Sequence, residues 1–291
     1  MFVSHIALVS QTTRVSFGQL AIASAALQKQ VTRDFSPIWE IEADLAPFEK
    51  LEDAPLGYWK IIIRDDIPFD AQGIHLNRAN GQPYALVQFS NNWALTTSHE
   101  CLEMIADPSG NRTQAGNSVN PEQGRVEYLV EVCDPSEAAQ FGYSINGVLV
   151  SDFYTPNFFD PVRAPGVRYS FTGAIGEPRQ VLDGGYLSWF DPASRHVFQL
   201  FVQDGDEEFV DRGELPDGFG SLRAFADRYS TRHRMKAMTA AGPGGLLLTA
   251  ALGEGGGVSA AARDARGLDA AQAAEADTLQ QQIDALIKGG S

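Results

Sequence analysis

The chain has 291 residues, 44% hydrophobic and 20% charged. That is an ordinary globular composition, long enough to bury a sizeable core in one large domain or in a domain with an appendage. Its formal net charge of -15 and pI of about 4.7 argue against a nucleic-acid partner, because phosphate binding needs a basic face.

In chain order, "HIALVSQT" predicts a first strand from His5 to Thr12. The start, "MFVSHIALVSQTTR", lacks the basic flank and long apolar run of a secretory signal, so the cytoplasm or a non-classical export route is expected. "SFGQLAIASAALQKQVTRDF" has helical spacing through Phe17, Leu20, Ser24, Leu27 and Val31, with Ser16 as N-cap. "WEIEADLAPF" alternates as a strand, with Trp39, Ile41, Ala43 and Leu45 on one face. "YWKIIIRDDI" is a continuous apolar run suited to a buried strand, and "QPYALVQFS" follows the turn-rich "NRANGQ" as another. A helix over "ALTTSHECLEMIA" comes next and ends near Ala106, because Pro108 disfavours a helical Asp107. Strand, helix, three strands, helix predicts an α+β fold, a mixed sheet with helices packed on it.

From Arg125 the pattern becomes β-rich. "RVEYLVEVCDP" reads as a strand or extended segment. "YSINGVLVSDFYTP" places Asn-Gly between apolar runs, a hairpin signal. "GGYLSWFDPASRHVFQLFVQD" predicts a second hairpin turning near Asp191. "DGDEEFVDRGE" reads as a solvated acidic loop without the ligand order of an EF-hand. "SLRAFADRYSTRHRMKAM" reads as a charged helix, and after Ala240 the composition turns to a Gly/Ala-rich linker. "LDAAQAAEADTLQQQIDALIKGG" is then a short amphipathic helix, with Leu279, Ile283, Leu286 and Ile287 placed to dock on the body or on a partner. No stretch approaches the roughly 18 consecutive apolar residues of a membrane span. These divisions give a first domain over residues 1–165, a β-rich C-terminal part with a helix over 166–240, and the linker and tail helix over 241–291.

The chemistry centres on "TTSHECLEMIADPSGN". A zinc peptidase is expected to read H-E-x-x-H, and this chain reads H-E-x-x-E, with His99, Glu100 and Glu103. Residues four apart share a helix face, so His99 and Glu103 are spaced to offer two ligands to one metal. Glu100 sits about 100° round the helix, where zinc peptidases hold the general base. Zinc accepts a carboxylate oxygen. Replacing an imidazole by a carboxylate makes the bound water less acidic and the site more tolerant of manganese or calcium. The same residues also fit a solvated helix start, capped by Thr97 or Ser98 and favoured by the helix dipole. His75 in "GIHL" and His196 in "SRHVF" are open as further ligands, transition-state donors or structural histidines. Tyr128 and Tyr143 are open as oxyanion donors or as packing, and Glu131 as an exposed strand residue. The two cysteines, Cys101 and Cys133, make no disulfide framework and are expected as buried free thiols.

"SHECLEMIADPSGN" followed by "VEVCDP" resembles the zincin-like proteins that carry a His-Glu-x-x-Glu helix ending in an Asp-Pro or Asn-Pro turn. Among these are the plant EXORDIUM (phosphate-induced) proteins and secreted microbial relatives, in which a Glu-x-x-Asp segment follows. The resemblance rests on His99, Glu100, Glu103, Asp107, Pro108, Glu131 and Asp134 and covers mainly residues 90–135. The chain departs from it in placing Cys133 inside Glu131-x-x-Asp134 and in lacking aromatic residues after the Pro turn. The resemblance implies a zincin-like fold and a zinc-dependent peptidase acting on a protein or peptide, with Glu100 as general base. It also implies His99, Glu103 and Glu131 as ligands, to zinc ahead of calcium or manganese. Asp134 would steady the imidazole of His99 by its other nitrogen, and Asp107 would serve a turn or helix-end hydrogen bond. The carboxylate-rich set equally fits a metal-binding scaffold without catalysis, and the hairpins and tail fit a metal-free interaction module.

Overall fold

A computed structural model of the chain describes residues 3–69, 71–227 and 266–289. Its first half is built on β1 (Ser4–Ser10), α1 (Phe17–Lys29), α2 (Ser36–Trp39), β2 (Ala43–Phe48), β3 (Trp59–Arg64), β4 (Gly73–Asn77), β5 (Pro83–Gln88) and α3 (Trp93–Ala106). The strands form a sheet in the order β2-β1-β3-β5-β4. The pairs among β1, β2, β3 and β5 are parallel, and β4 lies antiparallel to β5 at one edge.

Period-two alternation sends each strand's side chains to opposite faces, and both faces of this sheet are covered. Ile6, Leu8, Ile61, Ile63, Ala85 and Val87 join the main core, together with buried residues of α1 and α3. Val9, Ile62, Tyr84 and Leu86 form a second cluster with Ala276, Leu279 and Ile283. Those last three belong to the tail helix α4 (Arg266–Gly289), so the sheet is sandwiched between helices. Lys60 Nζ lies 2.6 Å and Arg78 Nη1 2.9 Å from Glu275 Oε1, tying α4 to β3 and to the end of β4. The expected apolar face of the tail thus docks on the body through Leu279 and Ile283, whereas Leu286 and Ile287 near its end are exposed.

Local chemistry explains several boundaries. Ser16 caps α1 with a full capping box: Gln19 N donates to Ser16 Oγ (3.3 Å) and Ser16 N to Gln19 Oε1 (2.9 Å). α1 continues through a π-helical stretch, Gln30–Phe35, into α2, which has a proline in its first turn and is stopped by Glu40 in a left-handed conformation (φ 56°). Trp39 is therefore helical and not the start of a strand, which begins only at Ala43; its indole N–H donates to Tyr154 O at 3.0 Å. Between β3 and β5 lies β4, a short strand absent from the predicted set.

The second sheet contains β6 (Thr113–Asn117), β7 (Arg125–Leu129), β10 (Tyr186–Asp191), β11 (His196–Gln203) and β12 (Asp206–Glu214). Their order is β12-β11-β10-β7-β6, with every pairing antiparallel. Between β7 and β10 sits the hairpin β8 (Tyr143–Ile145) and β9 (Val148–Val150). Asn146 (φ 53°) and Gly147 (φ 79°) turn it in the left-handed conformations that an Asn-Gly hairpin uses. "DGDEEFVDRGE" is a loop only at Asp204-Gly205: from Asp206 it is the edge strand β12, whose exposed charges suit an edge that must not pair with another chain. Trp189 of β10 pairs with Tyr128 of β7, so this sheet draws on both sides of the boundary expected at residue 165. The whole is a mixed α+β fold of several sheets and a few helices. Of the charged helix expected from Ser221, residues 222–227 are helical. The remainder of that helix and the Gly/Ala-rich linker lie outside the described residues. No helix among the described residues is long and apolar enough to cross a membrane.

Candidate metal centre

Every residue of α3 is buried, so His99 and Glu100 do not sit on a solvated helix start. The helix begins at Trp93, which places Thr97 and Ser98 inside it. Thr97 Oγ1 donates to Trp93 O (2.7 Å), and Ser98 Oγ donates to Gln30 Oε1 (2.8 Å) while accepting from Ser151 N (2.9 Å). His99 and Glu103, one turn apart, meet with Nε2 and Oε2 3.1 Å apart.

The segment after β7 brings in the second set of acids. Val130 N donates to Arg112 O and Tyr154 N to Val132 O, which anchors the stretch leading to Cys133. Cys133 N donates to Glu103 Oε1 (3.2 Å), and its thiol lies 3.8 Å from His99 O. The 3-10 turn Asp134–Ser136 follows, with Gly185 packed on it so closely that a Cβ there would fall 2.6 Å from Pro135 O. Asp134 Oδ1 lies 3.3 Å from His99 Nε2. Sequence reasoning assigned Asp134 to the imidazole's other nitrogen; it faces the one that faces Glu103, because the turn enters from the same side of the helix. Donor atoms of His99, Asp134 and Glu137 lie within 4.8 Å of one another.

His75 completes the cluster from the sheet. It pairs with Ala85, so alternation along β4 puts its ring on the face that packs against α3. Nδ1 lies 3.0 Å from Glu100 Oε2 and 3.8 Å from Glu103 Oε2, and Nε2 lies 3.5 Å from Glu131 Oε2. One ring nitrogen thus faces Glu100 and the other Glu131. Gly73, two residues before His75, makes room for Glu100: a Cβ there would lie 2.5 Å from its Oε1. His75 Nε2 and Glu131 Oε1 are buried and have no hydrogen-bond partner. Glu131, open as an exposed residue by sequence, is 5% exposed and lies with His75 and Glu103 in one group of ligand atoms.

One cation stands beside these carboxylates. Arg223, from the 222–227 segment, donates to Asp107 O (3.0 Å) and Asn77 Oδ1 (3.1 Å) and lies 4.0 Å from Glu131 Oε1. Burial and the neighbouring Glu103 push the Glu131 carboxyl well above its ordinary range, with Arg223 pulling the other way. Burial, then Arg223, lowers the pKa of His75, against the opposing pull of Glu100 and Glu103. Asp107 accepts from Asn111 N, Arg112 N and Ser109 Oγ, the helix-end role expected of it.

Other candidates spend their polar atoms elsewhere. Tyr128 Oη donates to Asn117 O, Tyr143 Oη donates to Asp34, and His196 pairs with Asp211 on the second sheet. Cys101 and Cys133 are free and buried, and burial raises both thiols. Sequence reasoning missed Glu137, Arg223 and Tyr154. The Tyr154 hydroxyl is buried without a hydrogen-bond partner, and its pKa is raised by burial and then by Glu131, Glu103 and Asp134. The faint signal for Arg223 is a lone cation among the apolar residues of "SLRAFA".

These His and carboxylate groups are ones that could hold a metal ion. In a tetrahedral zinc site with bonds of about 2.0–2.1 Å, neighbouring donors lie about 3.3 Å apart. Around His99 Nε2 the separations from Glu103 Oε2 and Asp134 Oδ1 are 3.1 and 3.3 Å. A cavity of about 440 Å³, lined by His75, Asn77, Ser109 and Arg223 among others, reaches one side of the cluster. No protein-family model, no curated protein and no solved structure matches this chain.

Proposed function

We propose that the chain is a metal-dependent hydrolase of peptide bonds built on a zincin-like frame. The observation that carries this reading is His99 Nε2 meeting Glu103 Oε2 and Asp134 Oδ1 within 3.3 Å, in a buried site, with Glu100 next along the same helix. The element order supports the frame: α3 leaves the sheet directly after β5, beside the antiparallel edge strand β4, where the resemblance sets a metal helix. His99 and Glu103 hold the ion, with Asp134 or Glu131 completing the set. A bound zinc ion supplies Lewis-acid polarisation and a water of lowered pKa. Glu100 takes a proton from the attacking water, and its Oε2 faces His75 Nδ1. Substrate approaches through the cavity at His75 and Arg223.

A second reading, a metal-binding scaffold without catalysis, is favoured by one observation: His99, Glu100, Glu103, Glu131 and Asp134 are each no more than 5% exposed. Metal analysis and a peptide-library assay on the purified protein decide between them. The hydrolase reading expects stoichiometric divalent metal and peptide cleavage, with Glu100→Gln keeping the metal while kcat falls about 10²- to 10⁴-fold. Metal without cleavage of any peptide selects the scaffold, and a protein that binds no divalent ion refutes both.

A further inference from the structure

We infer that the cluster is built for two divalent cations sharing Glu103, one held by His99, Asp134 and Glu137 and the other by His75 and Glu131. This rests on the proposed metal-binding role and goes beyond it in the number of ions and in the place of His75.

Two of the three groups of candidate ligands among the described residues share no member: His99, Asp134 and Glu137, and His75, Glu103 and Glu131, each with its ligand atoms within 4.8 Å of one another; the third, His99, Glu103 and Cys133, overlaps both. Glu103 lies between the first two: its Oε2 is 3.1 Å from His99 Nε2, and it shares a group of ligand atoms with His75 and Glu131. A single catalytic zinc uses three protein ligands. This cluster offers two imidazoles and four carboxylates, more than one four-coordinate ion can take.

The second position has features of its own. His75 Nε2 and Glu131 Oε1 are buried atoms without a hydrogen-bond partner, and their residues are 2% and 5% exposed. A native fold rarely leaves such groups unsatisfied unless something else binds them. The Nδ1 of His75 is occupied by Glu100 at 3.0 Å. That carboxylate–histidine arrangement orients an imidazole toward a metal with its other nitrogen.

Glu103, Glu131, Asp134 and Glu137 are all buried. Ions about 3.5–4 Å apart with a shared carboxylate form the two-metal clamp that stabilises both the attacking and the leaving oxygen of a hydrolysis.

The test is stoichiometry on the full chain. Protein stripped with a chelator is titrated with Zn²⁺ or Mn²⁺ alone, in enough salt to screen the acidic surface, and bound metal is counted after gel filtration. Two ions per chain are expected, with an exchange-coupled Mn²⁺ signal by electron paramagnetic resonance. His75→Ala and Glu131→Gln are each expected to bind one ion and to lose the coupling, with circular dichroism verifying the fold. Glu131→Gln is nearly isosteric and serves if His75→Ala unfolds. One ion per chain in the unmodified protein overturns the pair and leaves the proposed hydrolase standing. Two ions in both variants place the second elsewhere and also overturn it. No bound ion overturns the pair and the hydrolase together.

Discussion

Replacing Gly73 by alanine should disturb the centre without removing any of its polar groups. Gly73 has an ordinary strand conformation, outside the glycines with left-handed φ, so the effect is steric and not one of backbone strain. The added Cβ would meet Glu100 Oε1 at 2.5 Å, Thr96 Cγ2 at 2.6 Å and Glu100 Cγ at 2.8 Å. All three atoms belong to α3, which is buried along its whole length and cannot swing into solvent. Either the helix or the Glu100 side chain must move by roughly half an ångström to an ångström. Overpacking of this kind costs about 1–3 kcal/mol. At about 2 °C per kcal/mol for a chain of this length, Tm should fall by about 2–6 °C. The shift also loosens the 3.0 Å contact that orients His75. Losing an outer carboxylate partner of this sort weakens metal affinity about 10- to 100-fold. Gly18→Ala is the control: nothing lies within 4 Å of its built Cβ, and in α1 the change should gain up to about 1 kcal/mol. Urea and thermal unfolding read the first effect and calorimetric zinc titration the second. A Gly73→Ala protein as stable as the unmodified chain, with unchanged zinc affinity, would refute the packing argument and the link from Glu100 to His75.

Two further outcomes are expected. Leu279 is fully buried against Val9, Ile62 and Leu86, so Leu279→Ala should cost about 2–5 kcal/mol, limited by the free energy that docks α4. Hydrogen exchange should rise across residues 266–289 while bound metal stays constant, and unchanged exchange there would contradict the docking. Asp191, the last residue of β10, has its pKa lowered: burial raises it, but hydrogen bonds from Ser194 Oγ (2.7 Å) and Ala193 N (3.0 Å) outweigh that. A depressed carboxyl pKa stabilises the fold above its ordinary value of 3.8, and the contribution is lost as pH falls through the folded value. Asp191→Ala should therefore cost about 1–2 kcal/mol at neutral pH. Its urea midpoint should converge on that of the unmodified protein below about pH 4. A gap that persists undiminished at acid pH would show that the carboxylate is not its source.

The features legible in sequence are those written by neighbouring residues. The capping box at Ser16, the Asn-Gly turn of β8–β9 and the end of α3 at Ala106 each depend on a few positions. Their chemistry is the same wherever the segment sits in the fold. The misses come from competition between local signals. "WEIEADLAPF" alternates well enough for a strand, yet the helix entered at Ser36-Pro37 claims Trp39, whose indole finds its partner 115 positions away at Tyr154. β4 is only five residues long, with His75 at its centre, too short a run for alternation to stand out. The charges of β12 mark an exposed edge as readily as a loop, and only pairing with β11 distinguishes the two.

At the candidate centre the division is sharper. One helix and one short segment carry His99, Glu100, Glu103, Glu131 and Asp134; spacing pointed to the first three, and the resemblance added Glu131 and Asp134. The facing of His99 and Glu103 follows from the pitch of α3 and needs no other part of the chain. What only the tertiary structure decided is the company they keep. His75 arrives because β4 pairs outside β5 in the register that turns residue 75 toward α3. Asp134 faces the same imidazole nitrogen as Glu103 because its turn enters beside the helix. Arg223 comes to Glu131 from a segment that anchors on Asp107 and Asn77. Periodicity is a property of adjacent residues and survives in any context, whereas strand order and register are set by packing between segments far apart in the chain.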